Sequence, residues 1–168
     1  GQIRLGNDSD LKIFHNGSLG VIGNVTGDLY IQSNQDGDVG GDIYIRALAG
    51  EHSIYCQHDG PVFLYNNGAP KFRTYSEGVQ VLSSEGGNAA ILIQADEADD
   101  NNDTYRIIAG DGTNLNFQSY ATGSYVTSLK LTGDGNGAVE LNHAGTKRLE
   151  TTNTGVSITD NLNVAGIS

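Results

Sequence analysis

At 168 residues the chain is long enough for one ordinary domain with its own core, so size alone does not force association. Nine basic residues against twenty acidic ones leave a net charge of −11, which repels phosphate backbones and anionic headgroups and argues against nucleic acid or a membrane surface as partner. Glycine at 24 and proline at 2 describe a turn-rich chain that is neither collagen-like nor a proline-rich linker, and no apolar run is long enough to span a bilayer.

The chain opens at Gly1 without a methionine or a basic-then-apolar leader, as expected of a piece cut from something longer. From there, apolar residues recur at every second position. The pairs in chain order are Leu11/Ile13, Leu29/Ile31, Ile43/Ile45, Ile54/Cys56, Val62/Leu64, Val79/Val81, Ile91/Ile93, Leu115/Phe117, Leu129/Leu131, Val139/Leu141, Val156/Ile158 and Leu162/Val164. Period two is the signature of a strand with one buried face, and nowhere does a three-four apolar spacing persist for several helical turns. The fold class expected is all-β.

Between the pairs sit residues that accept a positive φ: Asn16-Gly17, Gly23-Asn24, Asp36-Gly37, Gly40-Gly41, Asp59-Gly60, Asn67-Gly68, Gly86-Gly87, Asp111-Gly112 and Asp134-Gly135. Strands are therefore short and connections tight, a pattern that a meander, a sandwich, a solenoid and a fibre all share.

Internal repetition narrows the choice. Asp28-Leu29-Tyr30-Ile31-Gln32 returns as Asp42-Ile43-Tyr44-Ile45-Arg46, and more loosely as Ser53-Ile54-Tyr55-Cys56-Gln57. A longer unit, Val62 to Val81, aligns with Val139 to Ile158 at an offset of 77, its apolar, glycine and threonine positions coinciding. Leu11 to Gly17 is a third copy of the first half of that unit. This divides the chain into a first β-repeat module, 1–85, and a second, 86–168.

Each strand pair offers only two or three aliphatics, worth about 1.5–3 kcal/mol apiece, against a backbone ordering cost of about 1–2 kcal/mol per residue. Such a unit does not stand alone. Solenoids answer the deficit by stacking rungs, fibrous trimers by sharing one axial core among three chains. The core residues expected in the second case are Val62, Leu64, Val79, Val81, Val139, Leu141, Val156 and Ile158.

Candidate chemistry is sparse. Cys56 has no partner for an intrachain disulfide and no cationic neighbour in sequence, and reads as a small apolar side chain. The acidic stretch Asp96 to Asp103 does not follow an EF-hand loop, and a solvated loop is the preferred reading; if calcium binds, Asp96, Asp99 and Asp103 are the ligands. His15, His52, His58 and His143 have no zinc-site spacing. Neither Gly-x-Ser-x-Gly nor a phosphate-cradling Gly-rich loop occurs. Glu140 and Glu150 are the carboxylates that glycan hydrolysis would call on, but the first copy carries Phe63 and Arg73 there, and nothing in the pattern forces the two acids into one cleft. No cofactor and no catalytic residue is expected. Most tyrosines alternate with aliphatics and cover an outer sheet face, while Tyr120 and Tyr125, flanking Ala121 to Ser124, are the candidates for recognition.

The phrases Asp10 to Ser18, Gly27 to Gln32, Lys147 to Val156 and Asn161 to Gly166 resemble repeats of tail-fibre and tail-spike-like structural proteins of tailed bacteriophages, notably marine and cyanobacterial ones, and the likeness covers most of the chain. It departs at Phe72-Arg73-Thr74-Tyr75. The resemblance implies an elongated, intertwined homotrimer of triple-β-helix or β-prism type. It also implies a place on the virion among other tail proteins, a role in attachment to a host glycan or protein, and a C-terminal chaperone domain downstream. On this reading the chain is a structural and adhesive fibre segment and not an enzyme. A single-chain β-solenoid is the alternative architecture; a glycan-depolymerising tail spike and a bacterial surface adhesin are the alternative functions.

Overall fold

The computed structural model describes residues 1–33, 40–112, 114–135 and 137–163. The chain is all-β; the described residues form three antiparallel sheets, none closed into a barrel. Among the described residues no helix is long and apolar enough to cross a membrane. Two units divide it, Gly1–Ile43 and Tyr44–Ser168.

The first unit holds a three-stranded sheet of β1 (Gln2–Leu5), β2 (Leu11–His15) and β3 (Gly20–Asn24), paired in sequence order. Register sets Ile3 opposite Ile13 and Ile13 opposite Ile22, so one face carries a row of isoleucines. The β2–β3 loop is closed by Asn16 Oδ1, which accepts from the N–H groups of Ser18 and Leu19. Two expectations change here. Gly23-Asn24 is not a turn but the end of β3, and the Asn24 amide donates to the carbonyls of Thr26 and Gly27 beyond it. Asp28 to Gln32 carries the alternation but forms no strand; Leu29, Tyr30 and Ile31 stand exposed. The Asp36-Gly37 turn and Val164 lie outside the described residues.

A five-stranded sheet follows: β4 (Ile43–Ile45), β5 (Ile54–Cys56), β6 (Val62–Asn66), β7 (Ala69–Tyr75) and β8 (Gly78–Val81). The seven-stranded sheet comprises β9 (Ala89–Gln94), β10 (Thr104–Ala109), β11 (Asn114–Ser119), β12 (Val126–Thr132), β13 (Val139–His143), β14 (Thr146–Thr152) and β15 (Gly155–Ile158). In both, every strand pairs with its sequence neighbour.

The offset of 77 survives in three dimensions. Leu64 faces Phe72 as Leu141 faces Leu149, and Phe72 faces Val81 as Leu149 faces Ile158. Both hairpins shift register at the same place, after Leu64 and after Leu141, leaving Lys71 and Arg148 as the extra, bulged residues. Their two-residue turns, Asn67-Gly68 and Ala144-Gly145, have positive φ throughout (51° and 73°, 51° and 77°), the conformation that matches strand twist. The third copy keeps the hairpin but has a four-residue loop and no register shift.

Each sheet is a single layer, and this governs the energetics. Among the described residues, one apolar side chain is buried, Ile108 at 8% exposure, and none is fully buried. The chain exposes 12441 Å², whereas two separate compact bodies with the masses of the two units would together expose about 9,300 Å².

Candidate functional site

Antiparallel register assigns every side chain to a face. On the seven-stranded sheet one row runs through Ile91, Ile107, Phe117, Leu129, Leu141, Leu149 and Ile158, one residue from each strand. The five-stranded sheet has the matching row Ile54, Leu64, Phe72 and Val81. All eight expected core residues fall on these apolar faces. Within one chain they are not covered: Val62, Leu64, Val79, Leu141, Val156 and Ile158 are exposed, Val156 by 60%, while Val81 and Val139 are half-buried. An apolar hollow of about 560 Å³, lined by Phe72, Val79, Val81, Leu82, Ala90 and Ile91, opens where β8 gives way to β9.

The faces opposite the apolar rows differ between the two repeats. In the first, Tyr44 stacks on Tyr55 (4.7 Å, 6°) and Tyr55 on Phe63 (5.7 Å, 9°). Arg46 lies 5.1 Å from the Tyr44 ring centre at one end and Arg73 5.9 Å from that of Phe63 at the other, with Arg73 Nε donating to Gln80 Oε1 at 2.6 Å. His52 packs against Tyr44, Tyr55 and Tyr65. The ring faces are largely turned on one another and on guanidinium groups, so this ladder holds the sheet together across its strands.

In the second repeat the corresponding positions are Lys130, Glu140, Glu150 and Ser157. The sequence gives no reason to bring Glu140 and Glu150 together; the register sets them directly opposite one another. Turn length and bulge decide this, because a slip of one residue would send them to opposite faces. The same bulge returns Lys147 to the face of Glu140 and Glu150, where its Nζ donates to Glu150 Oε2 at 2.5 Å, and Lys130 Nζ donates to Glu140 Oε1 at 3.0 Å. The hydrogen bond to Glu150 holds the Lys147 amine above its ordinary pKa. Lys130, Glu140 and Glu150 line a cavity of about 520 Å³.

Tyr120 and Tyr125 come together across their loop, ring centres 4.8 Å apart, and Arg106 sits 3.4 Å over the Tyr125 ring. Both are half-buried, and Arg106 also donates to Gln118 Oε1 at 2.6 Å.

Asp96, Asp99 and Asp103 are also brought together, with ligand oxygens within 4.8 Å of one another. Two oxygens each about 2.4 Å from one calcium ion are at most about 4.8 Å apart, so the spacing is compatible with a hard cation. Asp96, Glu97 and Ala98 take positive φ in succession, and Asp103 Oδ2 is buried without a hydrogen bond among the described residues. His15 and His143 close their strands beside the turns, both exposed, and Cys56 is half-buried opposite Val62.

Comparison with family models, curated proteins and solved structures gives no match to this chain.

Proposed function

We propose that the chain is a structural and adhesive segment of a tailed-phage fibre, in which three copies turn their apolar faces inward around a common axis. The observation that carries the assembly is the pairing of a continuous apolar row on each sheet with the near absence of buried apolar side chains among the described residues of a single chain. Removing such a face from water is the main favourable term open to a chain of this kind. Two further copies are the partner that three-fold symmetry supplies.

The meander favours a β-prism over a single-chain solenoid. Within each sheet sequence neighbours pair antiparallel, whereas a β-helix stacks its rungs in parallel. A meander grows along its hydrogen-bonding direction by about 4.8 Å per strand, so seven strands advance about 29 Å along the axis and form one wall of the prism. The likeness of Asp10 to Ser18 and Lys147 to Val156 to phage fibre repeats supports the virion setting, contact with other tail proteins and attachment to a host glycan or protein.

Light scattering and sedimentation of the purified protein test the assembly: an elongated trimer is expected, and a stable compact monomer at micromolar concentration would overturn it. The opposed pair Glu140/Glu150 favours one other reading, a glycan-cleaving spike. Release of oligosaccharide from a host polysaccharide would replace the non-enzymatic reading with that one.

A further inference from the structure

Glycine leaves the nitrogen that follows an asparagine unhindered, so at Asn-Gly the backbone can reach the side-chain amide. The chain has this dipeptide at Asn16-Gly17, Asn67-Gly68 and Asn136-Gly137, with Asn136 outside the described residues. The three copies of the hairpin unit turn at His15-Asn16-Gly17, Asn66-Asn67-Gly68 and His143-Ala144-Gly145. Histidine and asparagine therefore meet in one of the three turns.

In that turn, between β2 and β3, donors and an acceptor surround the Asn16 amide. Gly17 donates its N–H to His15 Nδ1 at 3.1 Å. An N–H donor identifies this ring nitrogen as the unprotonated one, so the lone pair of a base faces the Gly17 amide proton. Asn16 Oδ1 accepts from the N–H groups of Ser18 and Leu19 at 3.0 and 2.8 Å. Both partners are donors, which assigns the atom they meet as the oxygen. A side-chain turn of this kind folds the Asn16 Cγ back toward the Gly17 nitrogen. Residues 15–19 are exposed, so water reaches the site. Asn67 has no such setting: neither its side chain nor the Gly68 N–H makes a hydrogen bond among the described residues.

We propose that Asn16-Gly17 is a site of self-modification, at which the Gly17 nitrogen closes on Asn16 Cγ to form a succinimide with release of ammonia. His15 Nδ1 takes the amide proton as the new N–C bond forms. The charge that develops on Oδ1 falls between the two N–H groups already holding that oxygen. The imidazolium then returns its proton to the side-chain nitrogen, the old C–N bond breaks and ammonia leaves. Water opens the ring at either carbonyl. One opening restores the chain with an aspartate; the other leaves an isoaspartate, with an extra methylene in the backbone of the turn. Either product adds a negative charge to the loop. The reaction needs a single chain and water, and it is independent of the fibre reading.

Peptide mapping by mass spectrometry tests it, on folded protein aged at neutral pH and digested at intervals, with isoaspartyl peptides resolved by chromatography. Asn16 should convert about tenfold or more faster than Asn67. In urea the two sites should draw level. His15→Asn, which copies the turn of the first repeat, should slow Asn16 to the pace of Asn67 and leave Asn67 unchanged. Equal conversion of the two sites in folded protein, or a lead for Asn16 that persists in full in urea, overturns the proposal. So does a folded His15→Asn variant that converts Asn16 at the wild-type rate. The first two comparisons use wild-type protein, so they stand even if the variant does not fold.

Discussion

Val139 donates its backbone N–H to Thr151 Oγ1 at 2.9 Å, and 77 residues earlier Val62 donates to Thr74 Oγ1 at the same distance. The bond holds β13 to β14 and β6 to β7 where the ladder would otherwise open. Thr151→Val keeps the shape of the side chain and removes the acceptor, at a cost of about 1 kcal/mol. Thr74→Val should cost less, because the Val62 amide lies in an exposed setting and water replaces the lost partner. Urea denaturation of the two variants checks the order, and a larger loss from Thr74→Val would contradict it.

Ala144 holds a φ of 51° where its counterpart Asn67 holds the same angle. A left-handed conformation costs an alanine about 1 kcal/mol, whereas asparagine tolerates it and Asn-Gly is the preferred pair for such a hairpin. Ala144→Asn should therefore stabilise the second repeat by about 0.5–1 kcal/mol, read as a rise in melting temperature. Asn67→Ala should lower it by a similar amount.

The raised pKa of Lys147, due first to its hydrogen bond with Glu150, sets a sign for pH dependence. A lysine whose folded value exceeds its unfolded value of 10.5 contributes stability that is fully present below that value. The contribution disappears as pH rises through the folded value. Wild type and Lys147→Met should therefore differ by a constant melting-temperature gap from neutral pH to about pH 9, and the gap should close at higher pH. A gap that closes between pH 5 and 7 would assign the effect to another group.

The strands legible in sequence were those with two aliphatics on one face, such as β13 with Val139 and Leu141. β10 escapes that test because Ile107 and Ile108 are adjacent and point to opposite sides, and Ile108 is the one buried. β14 escapes it because the bulge at Arg148 breaks the alternation and leaves Leu149 as its single aliphatic. Asp28 to Gln32 shows the converse, since alternation prepares a strand but does not provide the neighbour it must bond. The opposition of Glu140 and Glu150 is a property of register, which the 77-residue repeat carries only in its turn and bulge positions. The acidic triple was legible as a candidate because its members are close in sequence.

At the acidic triple the expected response to calcium is small. Asp96 and Asp99 are exposed, and three carboxylates are fewer oxygen donors than calcium normally takes. A ligand bound only to the folded state stabilises by mass action, so millimolar calcium should raise the melting temperature by no more than a few degrees, and Asp103→Asn should abolish the rise. A large drop on chelation, restored by calcium, would replace the solvated-loop reading with a structural metal site.

Leu141 sits at the centre of β13 on the apolar face, between Leu129 and Leu149, and is 46% exposed in a single chain. Leu141→Asp should have a modest effect on the isolated sheet, because water can still reach the carboxylate. In a trimer the same change would bring up to three carboxylates together in the shared core, at a cost of several kcal/mol in desolvation and repulsion. Asn116→Asp is the matched control, since it adds the same charge with almost no change of shape on the other face of the sheet, opposite Lys130. Native mass spectrometry should find the control assembled like wild type and Leu141→Asp dissociated. If both variants assemble like wild type, the apolar face is not the interface; if both dissociate, charge itself is responsible and the two faces are not distinguished.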